Sequence, residues 1–97
     1  MKLLVRGFDW DDANLSKLEK HRVTQEEAEE IFYSAPMIDE GACEKEGEKR
    51  FRCLGITSGG RFLAAFFTLR HGFVKNISVR PMRKKERQIY EEKKKGP

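Results

Sequence analysis

The sequence predicts an α+β domain in which a small antiparallel sheet is flanked by helices. Thr24 and Glu27 have the spacing of a capping box, in which two side chains satisfy backbone N–H groups at the start of a helix. Residues 62–67 are apolar at both odd and even positions, as expected for a central strand covered on both faces. Short glycine-bearing turns at 58–60 and 70–72 favour an antiparallel meander of three strands.

The amino-terminal half is predicted to form a strand followed by two helices. Residues 3–8 alternate weakly between apolar and polar, which indicates a short first strand. Aspartates between positions 9 and 12 supply N-cap oxygens for a helix from about Asp12 to Lys20. The second helix follows the Thr24 cap, and Pro36 ends it because the residue before a proline is pushed out of the helical region.

The carboxyl-terminal half is predicted to be mostly strand, which gives the order β-α-α-β-β-β-β-α along the chain. Met37–Asp39 forms a short edge strand, and the polar segment from 40 to 49 is expected to be a mobile loop. The remaining predicted elements are strands at 49–57, 61–69 and 73–80 and a final helix from Met82 to about Lys93. Within the last strand, alternation places Phe73, Ile77 and Val79 on one face and Asn76, Ser78 and Arg80 on the other.

A length of 97 residues indicates one domain with a thin core, which excludes a large cofactor enzyme. We expect this domain over residues 1–92 and a basic flexible tail at 93–97. No apolar run approaches the roughly 18–20 residues of a membrane span, so a cytoplasmic protein is expected. Cys43, Cys53 and two histidines are too few for a zinc site or a disulfide framework, so we predict no metal and no cofactor.

The net charge of +4 conceals a strong asymmetry between the two halves of the chain. Residues 1–50 carry 8 Lys+Arg and 13 Asp+Glu, a net −5, whereas residues 51–97 carry 12 and 3, a net +9. A basic half on a small domain favours a polyanionic partner such as nucleic acid. The alternative is that the basic half serves solubility alone.

The densest chemical feature lies where the last strand meets the last helix. Arg80 ends the strand, and Arg83 and Arg87 follow on the helix, so three guanidinium groups converge on one corner that suits phosphate. Tyr90 falls on the same stripe of the helix, where it can stack a base or donate to phosphate. The alternative is a solvated helix face on which neighbouring glutamates balance Arg87.

Lys20 and His21 are the candidates for proton transfer. Cleavage of RNA by its own 2′-hydroxyl needs a base, an acid and positive charge for the phosphorane, and these side chains together with the arginines include those types. The alternative is that the pair caps helix carbonyls and complements the helix dipole. His71, at a hairpin tip, is interpreted as a turn residue.

Other conspicuous residues are interpreted as structural. The glutamates between positions 26 and 30 point in different directions around a helix, so we expect a solvated face and not a metal site. Trp10 is expected to cover the small core. Cys53 is expected to be a free thiol packed in a strand.

Four motifs, in this order and spacing, resemble the BrnT family of type II toxin-antitoxin toxins over about residues 5–92. The motifs are Phe8-Asp9-Trp10-Asp11, the segment from Lys20-His21 to Ala28, the Gly55 to Arg61 hairpin, and the segment from Ile77 to Glu91. The resemblance implies a RelE-like fold and metal-independent RNA cleavage that halts translation. It also implies a cognate BrnA-like antitoxin, which binds operator DNA as a complex with the toxin.

The family's basic and polar motif positions fall on eight residues, which are Lys20, His21, Arg61, Thr68, Arg80, Glu86, Arg87 and Tyr90. We expect catalytic roles for Lys20, His21, Arg80 and Arg87, and RNA binding by Arg61, Thr68, Arg83 and Tyr90. Two departures stand out: Arg22 replaces the glycine usual after the histidine, and Pro81-Met82-Arg83 adds charge beside the phosphate site. The alternative function is a non-catalytic module that binds nucleic acid or protein.

Overall fold

A computed structural model describes the backbone over residues 5–45 and 48–95 and the side chains over 5–40 and 48–94. The elements are β1 (Gly7–Phe8), α1 (Asp12–Lys20), α2 (Gln25–Glu30), β2 (Met37–Lys45), β3 (Glu48–Ile56), β4 (Phe62–Arg70), β5 (Phe73–Pro81) and α3 (Lys84–Lys95). The predicted α+β class and element order are confirmed. Residues 3 and 4 of the predicted first strand lie outside the described residues.

The strands form one five-stranded sheet in the order β1-β5-β4-β3-β2. β1 runs parallel to β5, and every other neighbouring pair is antiparallel. β4 lies at the centre, as its two-sided apolar pattern predicts. None of the described helices is long and apolar enough to cross a membrane.

The two faces of the sheet carry separate hydrophobic clusters. Alternate β4 residues Leu63, Ala65 and Phe67 join a core with α1 and α2. The intervening residues Phe62, Ala64 and Phe66 join a smaller cluster with Tyr90 and Ile89 of α3. We call these surfaces the α1–α2 face and the α3 face, and the second is the one that carries the candidate site.

Helix α2 is short, but both of its ends are specified by the sequence. The capping box at its start is complete: Thr24 Oγ1 accepts from the Glu27 N–H, and Glu27 Oε1 accepts from the Thr24 N–H, both at 3.0 Å. The helix ends earlier than Pro36 requires, and Ile31 then packs against Gly55 of β3. An added Cβ at Gly55 would lie 2.7 Å from the Ile31 Cβ, so glycine is what permits this close approach.

Residues 40–45 belong to β2 and residues 48–49 to β3, so the prediction of a loop over 40–49 was wrong for these residues, and residues 46 and 47 lie outside the described residues. Asp39 and Glu40 pair with Arg52 and Phe51, and pairing resumes at Glu44 after a register shift. Cross-strand backbone pairing overrides the glycine-bearing, polar composition of this stretch.

The face assignment predicted for β5 was also wrong in part. Phe66 pairs with Ser78, but Phe67 pairs with Asn76, so Ile77 is an extra, bulged residue. Asn76 therefore lies on the α1–α2 face opposite Phe67 and is only 2% exposed, and Phe73, predicted to share the face of Val79, lies on the opposite face from Val79. The alternation resumes after the bulge, so Ser78 and Arg80 remain on the α3 face.

The final helix extends further than the sequence predicts. It starts at Lys84, two residues after Met82, and runs to Lys95, so three lysines of the predicted flexible tail are helical. Lys94 donates to the carbonyl of Ala35 and lies 5.5 Å from the centre of the Tyr90 ring. Residues 96 and 97 lie outside the described residues.

Candidate functional site

Arg80 is fixed in place where β5 meets α3. Its Nη1 and Nη2 donate to Oε1 and Oε2 of Glu86 at 2.7 and 2.9 Å, which is a bidentate ion pair. Its Nη1 also donates to the Pro81 carbonyl, and its guanidinium lies over the Phe66 ring, 4.9 Å from the centroid. A stacked, bidentate arginine has few accessible rotamers and so presents its remaining N–H groups in a defined direction.

The same Glu86 carboxylate also starts α3. Its Oε1 accepts from the Arg83 N–H at 2.7 Å, in the manner of the third helical residue of a capping box. Burial alone would raise the pKa of Glu86, but its hydrogen bonds from Arg80 and Arg83 and the nearby charges of Arg80 and Arg52 outweigh burial and lower it. Glu86 is therefore an anion at neutral pH, and the conformation of Arg80 is tied to the first turn of the helix.

Arg83 and Arg87 follow Arg80 in the chain and are more exposed than Arg80. Arg83 precedes the helix and is exposed. The Arg87 guanidinium lies 3.9 Å from the centre of the Phe62 ring and donates to Glu91 at 2.8 Å. Glu91 therefore balances the charge of Arg87, as the alternative interpretation of this helix face expected of a neighbouring glutamate. Arg80 and Arg87 thus lie over Phe66 and Phe62, four residues apart on the α3 face of β4; we call this region, with Arg83 between the two arginines in the sequence, the arginine corner.

Tyr90 and Thr68 are buried. The Tyr90 side chain is 4% exposed and meets Phe62 edge-on, with ring centres 6.1 Å apart. Thr68, on β4, is 2% exposed. Contact of either side chain with RNA would require the surrounding side chains to move.

A second oriented arginine, Arg52, lies on the α3 face and was missed by the sequence analysis. Arg52 of β3 donates through Nε and Nη2 to the two carboxylate oxygens of Asp39, at 3.2 and 2.6 Å. Arg52 pairs across the sheet with Phe66, the residue on which Arg80 stacks. The alternation of Arg52 with buried Phe51 and Cys53 was the available signal for its face.

His21 and Lys20 lie at the end of α1, on the other side of the sheet. Their turn is a Schellman motif: the Val23 N–H donates to the Leu18 carbonyl and the Arg22 N–H to the Glu19 carbonyl, both at 3.0 Å. Arg22 takes the left-handed position that glycine usually occupies, with φ of 54°. The substitution therefore leaves the turn geometry intact.

Arg61 belongs to the same junction and not to the arginine corner. Its Nη1 donates to the Arg22 carbonyl at 2.8 Å and to Glu27 Oε1 at 2.9 Å. These bonds tie the β3–β4 hairpin to the turn between α1 and α2. The observed contacts of Arg61 are structural.

The sheet separates the two groups of predicted catalytic residues. Leu18 and Val23, which flank His21, are buried in the cluster of the α1–α2 face. Arg80 pairs with Ala64, which belongs to the cluster of the α3 face. Because a proton-transfer group must come within about 3 Å of the atom it serves, the structure does not bring His21 or Lys20 to a phosphate at Arg80.

The glutamates of α2 make hydrogen bonds to other parts of the chain, which a purely solvated helix face would not make. Glu29 Oε2 accepts from Trp10 Nε1 at 2.7 Å, and Glu30 Oε2 accepts from the Ser58 N–H at 2.8 Å.

Trp10 packs on the core cluster, and Cys53 is a buried free thiol, as predicted. Across the described residues, no group of three or more His, Cys, Asp or Glu side chains is arranged to hold a metal ion.

Comparison with known proteins identifies the family of this chain. No curated protein matches the chain. A family model does match it, over residues 10–86, which include α1, α2, all four long strands and the Glu86 that holds Arg80. The chain therefore belongs to the BrnT family, the ribonuclease toxins of type II toxin-antitoxin systems.

Proposed function

We propose that this BrnT toxin cleaves RNA on the α3 face without a metal ion. The carrying observation is the corner of Arg80, Arg83 and Arg87, in which Glu86 fixes the direction of Arg80. In the proposed reaction a ribose 2′-hydroxyl attacks the adjacent phosphorus, the bond to the 5′-oxygen breaks, and a 2′,3′-cyclic phosphate is left. Guanidinium groups supply the positive charge that the pentacovalent phosphorane needs.

Proton transfer in this reaction is assigned to solvent. The chain has two histidines: His21 lies across the sheet, and His71 lies in the β4–β5 turn, at the opposite end of β5 from Arg80. Guanidinium groups stay protonated and therefore cannot accept the proton of the 2′-hydroxyl. Water or hydroxide accepts that proton, and water protonates the departing 5′-oxygen.

The consequences in the cell follow from this activity. Cleavage of cytoplasmic RNA would halt translation, and a BrnA-like antitoxin would neutralise the toxin by covering it. Contact with operator DNA would occur only through the toxin-antitoxin complex.

The experiment that tests the proposal is RNA cleavage by purified protein in EDTA. Wild-type protein should cut RNA in the chelator, and added antitoxin should abolish cutting. The double variant Arg80→Ala with Arg87→Ala should lose about 10²–10³-fold in rate, the loss typical when a charge-stabilising donor is removed. Lys17→Ala, an exposed residue on the outer side of α1, is the matched control and should cut normally. Equal circular dichroism spectra show that the variants fold.

A non-catalytic binding module is the second candidate, because Glu86 already balances the charge of Arg80. Intact RNA together with salt-sensitive binding would favour it. Growth arrest on expression of the double variant as severe as with wild type would contradict the assignment of the site to the arginine corner.

A further inference from the structure

Two arginines on the α3 face are built in the same way. Arg80 and Arg52 each form a bidentate ion pair with a carboxylate, Glu86 and Asp39 respectively. Both side chains are mostly covered, with exposed fractions of 17% for Arg80 and 22% for Arg52. Each guanidinium is thus held in one orientation, and each side chain is still partly exposed.

Each guanidinium has a second pair of N–H groups. A guanidinium carries five N–H donors, which form an end-on edge at Nη1 and Nη2 and a side-on edge at Nε and Nη2. Arg80 uses the end-on edge for Glu86 and one more Nη1 proton for the Pro81 carbonyl. Within the described part of the chain, its side-on edge at Nε and Nη2 has no partner.

Arg52 shows the complementary arrangement. It uses its side-on edge, Nε and Nη2, for Asp39. Among the hydrogen bonds of residues 5–40 and 48–94, its end-on edge at Nη1 and Nη2 donates to no further group. Each of the two arginines therefore keeps one complete fork, which is the geometry that matches two oxygens of a phosphate.

The two forks are close together on the sheet. Arg52 pairs directly across from Phe66, and the Arg80 guanidinium lies over the ring of Phe66. The charge of Arg52 also acts on Glu86, the carboxylate that holds Arg80. The four charged groups therefore form one network around Phe66.

We propose that Arg52 is a second phosphate-binding residue, and that Asp39 and Glu86 are the positioning residues that aim the forks of Arg52 and Arg80 at the RNA backbone. This inference rests on the proposed function, since it assumes that RNA lies on the α3 face. It adds a binding residue on β3, a strand that carries none of the three arginines of the arginine corner.

The test measures binding of a short 2′-O-methyl RNA oligonucleotide, which cannot be cleaved, by fluorescence anisotropy at several salt concentrations. Arg52→Ala should weaken binding about tenfold and reduce the salt slope by about 0.7, the value for one lost phosphate contact on a single strand. Arg52→Lys keeps the charge and should keep the slope, but it loses the fork and should bind more weakly than wild type. Lys17→Ala on α1 is the control and should match wild type.

Asp39→Asn distinguishes two possible roles of Asp39, because they predict opposite changes in RNA affinity. If Asp39 acted only through its charge, its removal would strengthen binding to an anionic RNA. If Asp39 positions Arg52, Asp39→Asn should weaken binding several-fold, while Glu19→Gln, an exposed charge removal on α1, should leave binding equal or slightly tighter. Glu86→Gln should behave like Asp39→Asn, and thermal unfolding checks that each variant is folded.

Two outcomes would overturn the inference and leave the proposed function standing: wild-type affinity in Arg52→Ala, or tighter binding in Asp39→Asn, in a protein that still cleaves RNA in EDTA. A wild-type protein that neither binds the oligonucleotide nor cuts RNA would instead overturn both proposals.

Discussion

The guanidinium of Arg61 reaches the backbone carbonyl of Arg22, 39 residues away along the chain, with Nη1 and the carbonyl oxygen 2.8 Å apart. The same Nη1 donates to Glu27. A hairpin of the sheet thereby holds the turn that joins α1 to α2. This relationship assigns a structural role to a residue for which the sequence predicts RNA binding.

Replacing Arg61 with alanine should destabilise the fold without affecting the RNA site. Charge-assisted hydrogen bonds typically contribute about 1.5–3 kcal/mol, and the partial exposure of this pair reduces the expected loss in unfolding free energy to about 1–2 kcal/mol. Urea unfolding measures this loss. A normal unfolding midpoint combined with weaker oligonucleotide binding would return Arg61 to the RNA site.

Glycine at position 22 should stabilise the protein. Arg22 has φ of 54°, where a Cβ is unfavourable, so Arg22→Gly should add about 0.5–1 kcal/mol after the greater freedom of glycine in the unfolded chain is subtracted. Arg22→Ala keeps the Cβ and is the matched control, for which no gain is expected. Equal thermal midpoints for the two variants would mean that the left-handed turn is not strained.

The rate of RNA cleavage should rise steadily with pH near neutrality. With solvent as the proton acceptor, no side chain on the α3 face has to titrate near the ordinary histidine pKa of about 6.5. His21→Asn should therefore cut RNA at close to the wild-type rate at every pH. A break in the wild-type profile that disappears in His21→Asn would restore His21 as the base.

Acid should weaken the fold partly through Glu86. Its pKa in the folded state lies below the ordinary value of 4.5, so the unfolded chain binds more protons in the pH window between the two values. The stability that Glu86 contributes is complete above the ordinary pKa and is lost as pH falls through the folded value.

The unfolding free energy of Glu86→Gln should consequently decline less steeply below about pH 4.5 than that of wild type. Some decline remains, because the pKa values of Asp11, Glu27 and Glu48 are lowered too. Glu19→Gln should keep the wild-type slope. Identical acid slopes for all three proteins would show that the bidentate pair with Arg80 does not favour the Glu86 anion.

Cys53 should be chemically inert in the folded protein. Burial first, and then the charge of Asp39, raises the pKa of its thiol to about 12, so almost no thiolate exists at neutral pH. In a Cys43→Ser background, where Cys53 is the one remaining thiol, Ellman's reagent should react only as fast as the chain unfolds. Rapid reaction in native buffer would contradict this.

Local signals in the sequence predict much of the fold. The aspartates before α1 and the capping box at Thr24 act within one helical turn, and the two-sided apolar run of β4 identifies the centre of the sheet. The placement of Arg80, Arg83 and Arg87 where β5 leads into α3 is also a local feature, since these residues are close together in the sequence. These features need no knowledge of distant parts of the chain.

The remaining features depend on pairings between distant residues. The bulge at Ile77 reverses the alternation of β5, and only the register with β4 reveals it, which is why Asn76 was assigned to the wrong face. The partnership of Arg52 with Asp39 depends on the register of β2 and β3. The position of His21 relative to Arg80 depends on which side of the sheet each helix packs, and alternation along a single strand does not decide that.

Because Glu86 both starts α3 and holds Arg80, the arginine corner cannot form before α3 has been synthesised. One carboxylate starts α3 and holds Arg80, and α3 follows all five strands in the chain. Ribosomes make the chain from its amino end, so the strands emerge before the helix that completes the arginine corner. Until α3 has emerged and folded, a nascent toxin therefore lacks an oriented Arg80, and on the proposed mechanism it cannot yet cut RNA.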